Sequence, residues 1–182
     1  MIITISFIAI ALIWGLISYN NIIRLKNQVA SAWSDIDVQL TRRHELIPQL
    51  VKTLKAYKEH EKETLELTTL LRSADNSNSP SEQSSIEQTI NQKLNKLIVL
   101  QESYPELKTN QSFLELMHAL TETEDKLQYA RRYYNGSVKI YNTKIQQVPD
   151  NLISTLFKFE EAEFFNLESP EMALPTSVQL ND

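Results

Sequence analysis

Residues 27–54 read NQVASAWSDIDVQLTRRHELIPQLVKTL, and the spacing of their apolar side chains decides the fold. Val29, Trp33, Ile36, Leu40, Arg43, Ile47, Leu50 and Leu54 step by alternating fours and threes, which lays one stripe along one side of a helix. The stripe extends to Tyr57 and onward through Leu65 and Leu71. Pro48 falls inside it, removing one backbone donor and crowding the preceding turn, so a kink near Glu45–Ile47 is expected. The stripe keeps its phase on both sides of the proline. One bent helix is therefore expected, not two.

Upstream, no charged side chain occurs from Met1 to Ile23, and Ile2 to Ile17 is almost continuously apolar. Roughly 20 such residues cross a hydrocarbon core as a helix, and Tyr19, Asn20 and Asn21 suit the headgroup region beyond it. A cleavable signal peptide would want a basic start and a small-residue cleavage site. Arg24 is the first basic residue, and Ile17-Ser18-Tyr19-Asn20 is a poor site. Residues 1–23 are thus read as a transmembrane anchor, with membrane lipid as its partner. Arg24, Lys26, Arg42 and Arg43 follow the span, so the positive-inside rule predicts an N-out, single-pass protein with its folded part in the cytoplasm. Ala11 and Gly15 form a small-xxx-small pair that offers a route to a homo-oligomer; ordinary lipid-facing residues are the simpler account.

Downstream, Ala74 to Ser79 (ADNSNS) reads as a polar loop, and Ser79-Pro80-Ser81-Glu82 as a helix start with its cap and capping acid. The next helix carries Ile86, Ile90, Leu94, Leu97 and Leu100 and ends before Pro105. Thr109 or Asn110 can cap a longer one. Its seam is Phe113, Met117, Leu120, Glu124, Leu127, Arg131, Tyr134, Val138, Tyr141, Ile145 and Val148, a near-heptad repeat of the coiled-coil type. Pro149 ends it, and Asp150 is placed to cap a short helix bearing Leu152, Ile153, Leu156, Phe157 and Phe164. Residues 167–182 hold two prolines and no amphipathic period, and are read as a flexible acidic tail. The seams must pack on one another to leave water, so the fold expected is all-α: a transmembrane helix followed by an elongated antiparallel four-helix bundle over residues 24–166.

Composition narrows the function classes. Two glycines in 182 residues leave little material for phosphate-cradling loops or hairpin-rich β folds. Zero cysteines remove disulfides, thiolate metal sites and cysteine nucleophiles. The net charge of -5 gives no reason to expect nucleic acid. The charge is unevenly spread. Seven Lys/Arg face three acids from Arg24 to Lys58, whereas one lysine faces seven acids from Asp150 to Asp182. Arg24 and Lys26 are candidate membrane-surface contacts, with Lys52, Lys55 and Lys58 further along the same basic stretch; a solvated helix face explains most of them as well.

Catalytic patterns are lacking. A bundle-type di-iron site needs two Glu-x-x-His pairs, and only His118 has a glutamate, Glu115, three residues before it. His60-Glu61 is not followed by the second histidine of a zinc-protease helix. No cofactor is expected, and no enzyme. Tyr129, Tyr133, Tyr134 and Tyr141 are interleaved with Arg131, Arg132 and Lys139, a mixture that can stack nucleic acid. The period turns Tyr134 and Tyr141 to the core, and Glu122, Glu124 and Asp125 would repel phosphates, so core packing is the reading.

Charged residues on the seams are the unusual feature. Arg43, Glu124 and Arg131 occupy positions whose period asks for apolar side chains, and Asp37 adjoins the first seam one turn after Trp33. Either packing drifts and the charges reach solvent, or they form a buried network in which Glu124 lies between guanidinium groups and fixes helix register. A ligand or partner site is the third alternative.

Several segments together resemble the LemA family of bacterial membrane-anchored proteins. They are Ala32-Trp33-Ser34-Asp35-Ile36-Asp37-Val38-Gln39-Leu40, Arg42-Arg43-His44-Glu45-Leu46-Ile47-Pro48, His60-Glu61 with Thr64-Leu65-Glu66, and Tyr104-Pro105-Glu106-Leu107-Lys108. Thr123-Glu124, Ala130-Arg131-Arg132-Tyr133-Tyr134-Asn135 and Tyr141-Asn142 complete the set. The resemblance spans roughly residues 19–166 and implies a four-helix soluble region behind an anchor, with an action poorly defined in the family. The function expected is a non-catalytic membrane-tethered scaffold with protein partners still to be identified. The alternatives are an anionic membrane-surface or envelope-stress protein, and a substrate or adaptor of a membrane protease presenting the acidic tail.

Overall fold

The computed structural model describes residues 1–54, 61–74, 77, 79–100 and 105–165. Tyr57, Lys55, Lys58, His60, Tyr104 and the tail from residue 167 lie outside the described residues, as do the side chains of Leu65, Leu97 and Leu100. Every regular element among the described residues is a helix: α1 Ile2–Leu54, α2 Glu61–Ala74, α3 Pro80–Leu100, α4 Pro105–Lys108, α5 Gln111–Gln146 and α6 Asp150–Leu156.

α1 is one helix of 53 residues that contains Pro48, as the unbroken phase of its stripe requires. At 1.5 Å per residue it is about 80 Å long. Its first part, Ile2–Ile17, is exposed or nearly so along its whole length. It is apolar enough to cross a bilayer by length and composition, and no break separates it from the packed part.

α5 lies antiparallel to α1. Gln28 meets Ser137, Trp33 meets Tyr134, and Arg43 meets Glu124, so one number falls as the other rises. This pair is the spine. The α2–α3 hairpin packs on its far half, with Lys93 bonded to Glu66 across the hairpin. α3 starts as its sequence dictates: Ser79 Oγ accepts from the Glu82 N–H at 3.2 Å, with Pro80 at the first position. Asn110, not Thr109, caps α5, its Oδ1 accepting from Phe113 N–H at 3.1 Å.

Among the described residues the buried apolar side chains form two clusters. The far cluster joins Ile47, Leu50 and Leu54 to Leu67, Leu71, Ile90, Leu94, Phe113 and Leu120. The near cluster joins Ile22, Leu25, Val29, Ile36 and Leu40 to Leu127, Tyr134, Val138, Tyr141, Ile145 and Phe165. Each fully buried Leu or Ile contributes about 1.5–3 kcal/mol, so these seams, more than helix propensity, hold the rods together. Five helices contribute to the far half, α4 through Leu107. The near half is closed differently, by α6 and an extended segment, Phe159–Phe165, laid against α1 and α5.

Around α6 the chain departs from the arrangement expected of its sequence. Asp150 does not cap it: Pro149 stands at the N-cap with no side-chain bond, and the Asp150 carboxylate is buried against Ser18 and Lys144. The helix stops at Leu156, so Phe164 belongs to the extended segment. Lys158, at φ 54, takes the left-handed conformation that closes a helix end. Phe159 N–H reaches Ser154 O at 2.9 Å and Lys158 N–H reaches Thr155 O at 3.3 Å, which turns the chain back along α5. Val148, assigned to the seam, is 81% exposed because the α5 helix has already ended at Gln146.

Candidate functional site

The interval between the two apolar clusters is filled by charge. Arg43 follows Leu40 and precedes Ile47 on α1, and Glu124 falls between Leu120 and Leu127 on α5. Arg43 is 1% exposed. Its Nη1 donates to Glu87 Oε2 at 2.9 Å and lies 3.7 Å from Glu124 Oε2, while Nη2 donates to Asn91 Oδ1. Arg131 Nη1 stands 3.7 Å from the other Glu124 oxygen. Glu124 therefore lies between two guanidinium groups.

Glu87 on α3, fully buried, is the partner that sequence reasoning missed. Its carboxylate also receives His44 Nε2 at 2.7 Å and Gln83 Nε2 at 3.0 Å. The available signal was the four-residue spacing of Gln83, Glu87 and Asn91, which sets a polar ridge beside Ile86, Ile90 and Leu94. Two arginines and two glutamates on three helices balance in charge, which is what makes burial tolerable. Asp37 is not part of this layer: it is exposed. Ile36 and Leu40 face the core, and one residue further along a helix turns about 100° away.

A second polar construction lies on the near half. Asn142 Nδ2 donates to Ala162 O and its Oδ1 accepts from Ala162 N–H, both at 2.9 Å. Asn135 does the same with Phe165, at 2.8 and 2.9 Å. Tyr141 donates to Glu160 O at 2.9 Å and Tyr134 to Glu163 O at 2.8 Å. The register is geometric. Seven residues of helix rise about 10.5 Å, and three residues of extended chain cover about 10 Å. A Tyr-Asn pair repeated every seven positions thus matches every third residue of a strap. All six bonds go to main chain, which satisfies an extended segment that has no neighbouring strand.

Tyr134 and Tyr141 do sit in the core, as the period predicts, and their hydroxyls also hold the strap. Burial, reinforced by Glu163, pushes the Tyr134 hydroxyl above its ordinary value, and burial with Glu160 does so for Tyr141. Trp33 packs its ring 5.4 Å from Tyr134 and 6.1 Å from Phe165. The Arg131 guanidinium stands 5.0 Å from the Phe165 ring centre, so Arg131 joins the strap to the central charged layer.

Of the candidate membrane-surface residues, Arg24 is exposed and donates to Asn21 Oδ1 at 2.8 Å, one turn earlier. Lys26 is exposed at a groove of about 400 Å³ that also touches Trp33, Tyr141 and Lys158. On another face of the α1–α5 pair, Asp35, Val38, Gln39, Lys126, Tyr129 and Tyr133 line a shallower groove of about 350 Å³. Val38, Tyr129 and Tyr133 are more than half exposed there.

Comparison with known proteins places these features. The model of the LemA family matches residues 32–179, which takes in the charged layer and the Tyr-Asn repeat. Protein LemA of Metamycoplasma hominis is 26% identical over 166 residues, covering 84% of this chain and 74% of that one. Magnetosome protein MamQ 2 of Paramagnetospirillum magneticum is 31% identical over 72 residues, 40% of this chain and 26% of its own. Magnetosome protein MamQ of Magnetospirillum gryphiswaldense is 26% identical over 73 residues, 40% of this chain and 27% of its own. The chain spans about a quarter of the length of these magnetosome relatives.

Proposed function

The chain belongs to the LemA family, and from that premise we propose that it is a non-catalytic, membrane-tethered scaffold that holds a protein partner along the exposed α1–α5 face. The observation that carries the reading is the groove at Val38, Tyr129 and Tyr133. Large apolar and aromatic side chains are exposed there on the two longest helices, flanked by Asp35 and Lys126. Tyrosines on a firm backbone supply contact area at low entropic cost, and exposed apolar patches rimmed by charge are typical of partner surfaces. The charged layer supports the non-catalytic part. Arg43, Glu87, Glu124 and Arg131 are engaged with one another across three helices, which is the arrangement of a register device.

The orientation we infer is N-out and single-pass, with the bundle on the cytoplasmic side of the bacterial inner membrane, because the basic residues nearest the span follow it. The test is photo-crosslinking in intact membranes from a reactive residue at Tyr133, beside one at Leu114 on an exposed part of α5. Discrete adducts from position 133 that are absent from 114 are expected. Equal, diffuse labelling from both would refute the partner face, and a carboxy-terminal reporter active only outside the cell would refute the orientation.

A further inference from the structure

We propose that the α5–α6 corner is a second membrane contact: an apolar tip that enters the interfacial region of the same leaflet from which α1 emerges. Val148, Leu152, Leu156 and Phe157 are 81%, 65%, 72% and 54% exposed. Leu152 and Leu156 are four apart, so they stand one above the other on one side of α6. The inner side of the helix is occupied by Ile153 and buried Ser154.

The position of this tip identifies the lipid surface as its cover. α6 lies against the last part of the apolar segment: a methyl group built on Gly15 would lie 3.6 Å from Ile153 Cδ1, and Tyr19 packs its ring 4.7 Å from Phe157. The exposed face of the corner is therefore continuous with the exposed apolar surface of α1. Gly15 is nine residues before Arg24, the first charged side chain. Nine residues of helix place it about 13 Å nearer the membrane interior. A tip at that depth meets headgroups and upper acyl chains, where an aromatic such as Tyr19 is at home.

The charge pattern agrees. Between Ile145 and Phe157 the only charged residue is Asp150, and its carboxylate is buried against Ser18 and Lys144. Lys144 is taken up by Asp150, and exposed Lys158 follows the segment, as a cation bordering an interfacial helix does when it reaches back to phosphates. Two contacts a short distance apart would fix the tilt of the rod, where a lone helix would leave it free to swivel.

The absence of native cysteine makes a direct test available. The full chain is reconstituted in phosphatidylcholine–phosphatidylglycerol vesicles with a single polarity-sensitive probe at L152C or L156C, beside I10C in the span and L114C on the distant part of α5. Lipids bearing a nitroxide at the headgroup or along the acyl chain report depth. Blue-shifted emission at 152 and 156, with quenching by the shallow nitroxides several-fold above that at 114, is expected. If position 10 is quenched while 152 and 156 behave like 114, the anchor stands and the tip proposal falls. A blue shift at 152 without lipid quenching, growing with protein density, would mean that a second copy covers the face, and would also overturn it. If position 10 is not quenched either, both membrane contacts are wrong.

Discussion

Asn142 holds Ala162 as a neighbouring β-strand would: its amide donates to the Ala162 carbonyl and accepts from the Ala162 N–H, each at 2.9 Å. Asn135 repeats this at Phe165, so the strap is fixed by main-chain recognition at two points one strap-period apart. Two net hydrogen bonds are worth about 1–3 kcal/mol. Asn142→Leu is therefore expected to lower unfolding stability by about that amount and to expose the strap to protease before the α1–α5 spine opens. Ala162→Gly keeps both main-chain bonds and should leave the strap protected. Limited proteolysis of the two variants separates these outcomes.

The central layer makes an ordered prediction. Glu87 is fully buried and accepts from Arg43, His44 and Gln83, so Glu87→Gln leaves the buried Arg43 charge with only the more distant Glu124 carboxylate and is expected to cost about 3 kcal/mol. Glu124 is partly exposed and stands 3.7 Å from both arginines. Arg43 keeps Glu87 when it is lost, so Glu124→Gln should cost about 1 kcal/mol. Asp37→Asn, on the solvent side, should stay within about 0.5 kcal/mol. Urea unfolding midpoints in that order check the layer, and equal effects at 87 and 124 would contradict it.

These residues also mark how far the sequence could be read. The α1 and α5 seams were legible because their period survives over many turns, and the charges at 43, 124 and 131 stood out as violations of it. Glu87 was hidden because α3 is mostly polar, so a buried glutamate there breaks no pattern. Asp37 was misassigned because a position beside a stripe is settled by about 100° of rotation, which spacing alone does not resolve. The strap was missed for a different reason. An extended segment held by side chains of a helix has no period of its own, and its trace lay in the helix, in the repeat of Tyr134-Asn135 at Tyr141-Asn142.

Alkaline pH should release the strap. The Tyr134 and Tyr141 hydroxyls donate to carbonyls and must stay protonated to do so. Burial, with Glu163 and Glu160 beside them, raises both above the ordinary 10.0. A group whose value is raised on folding contributes stability that is whole below the unfolded value and is lost as pH rises through the folded one. In a Trp14→Phe background, Trp33 fluorescence reports this directly, because its ring lies 5.4 Å from Tyr134. A steady signal is expected up to the ordinary tyrosine range and a transition above it. With Tyr134→Phe that transition should shrink, and an unchanged transition would disprove the assignment.

Acid should loosen the α6 corner. Burial alone would raise the Asp150 carboxyl, but hydrogen bonds from Lys144 and Ser18 outweigh it and hold the group below its ordinary 3.8. Here the sign is reversed. The contribution is present above the unfolded value and is lost as pH falls through the depressed folded one. Hydrogen exchange of the α6 amides, measured on the full chain in vesicles, should therefore show protection at neutral pH that drops in strong acid, relative to amides in the middle of α5. Asp150→Asn keeps an acceptor for Ser18 but removes the charge facing Lys144, so α6 should exchange faster at neutral pH and lose its acid step. If the variant keeps that step, another carboxylate holds the corner. If neither protein shows it, the contact of Ser18 with Asp150 does not tie α6 to the base of the span.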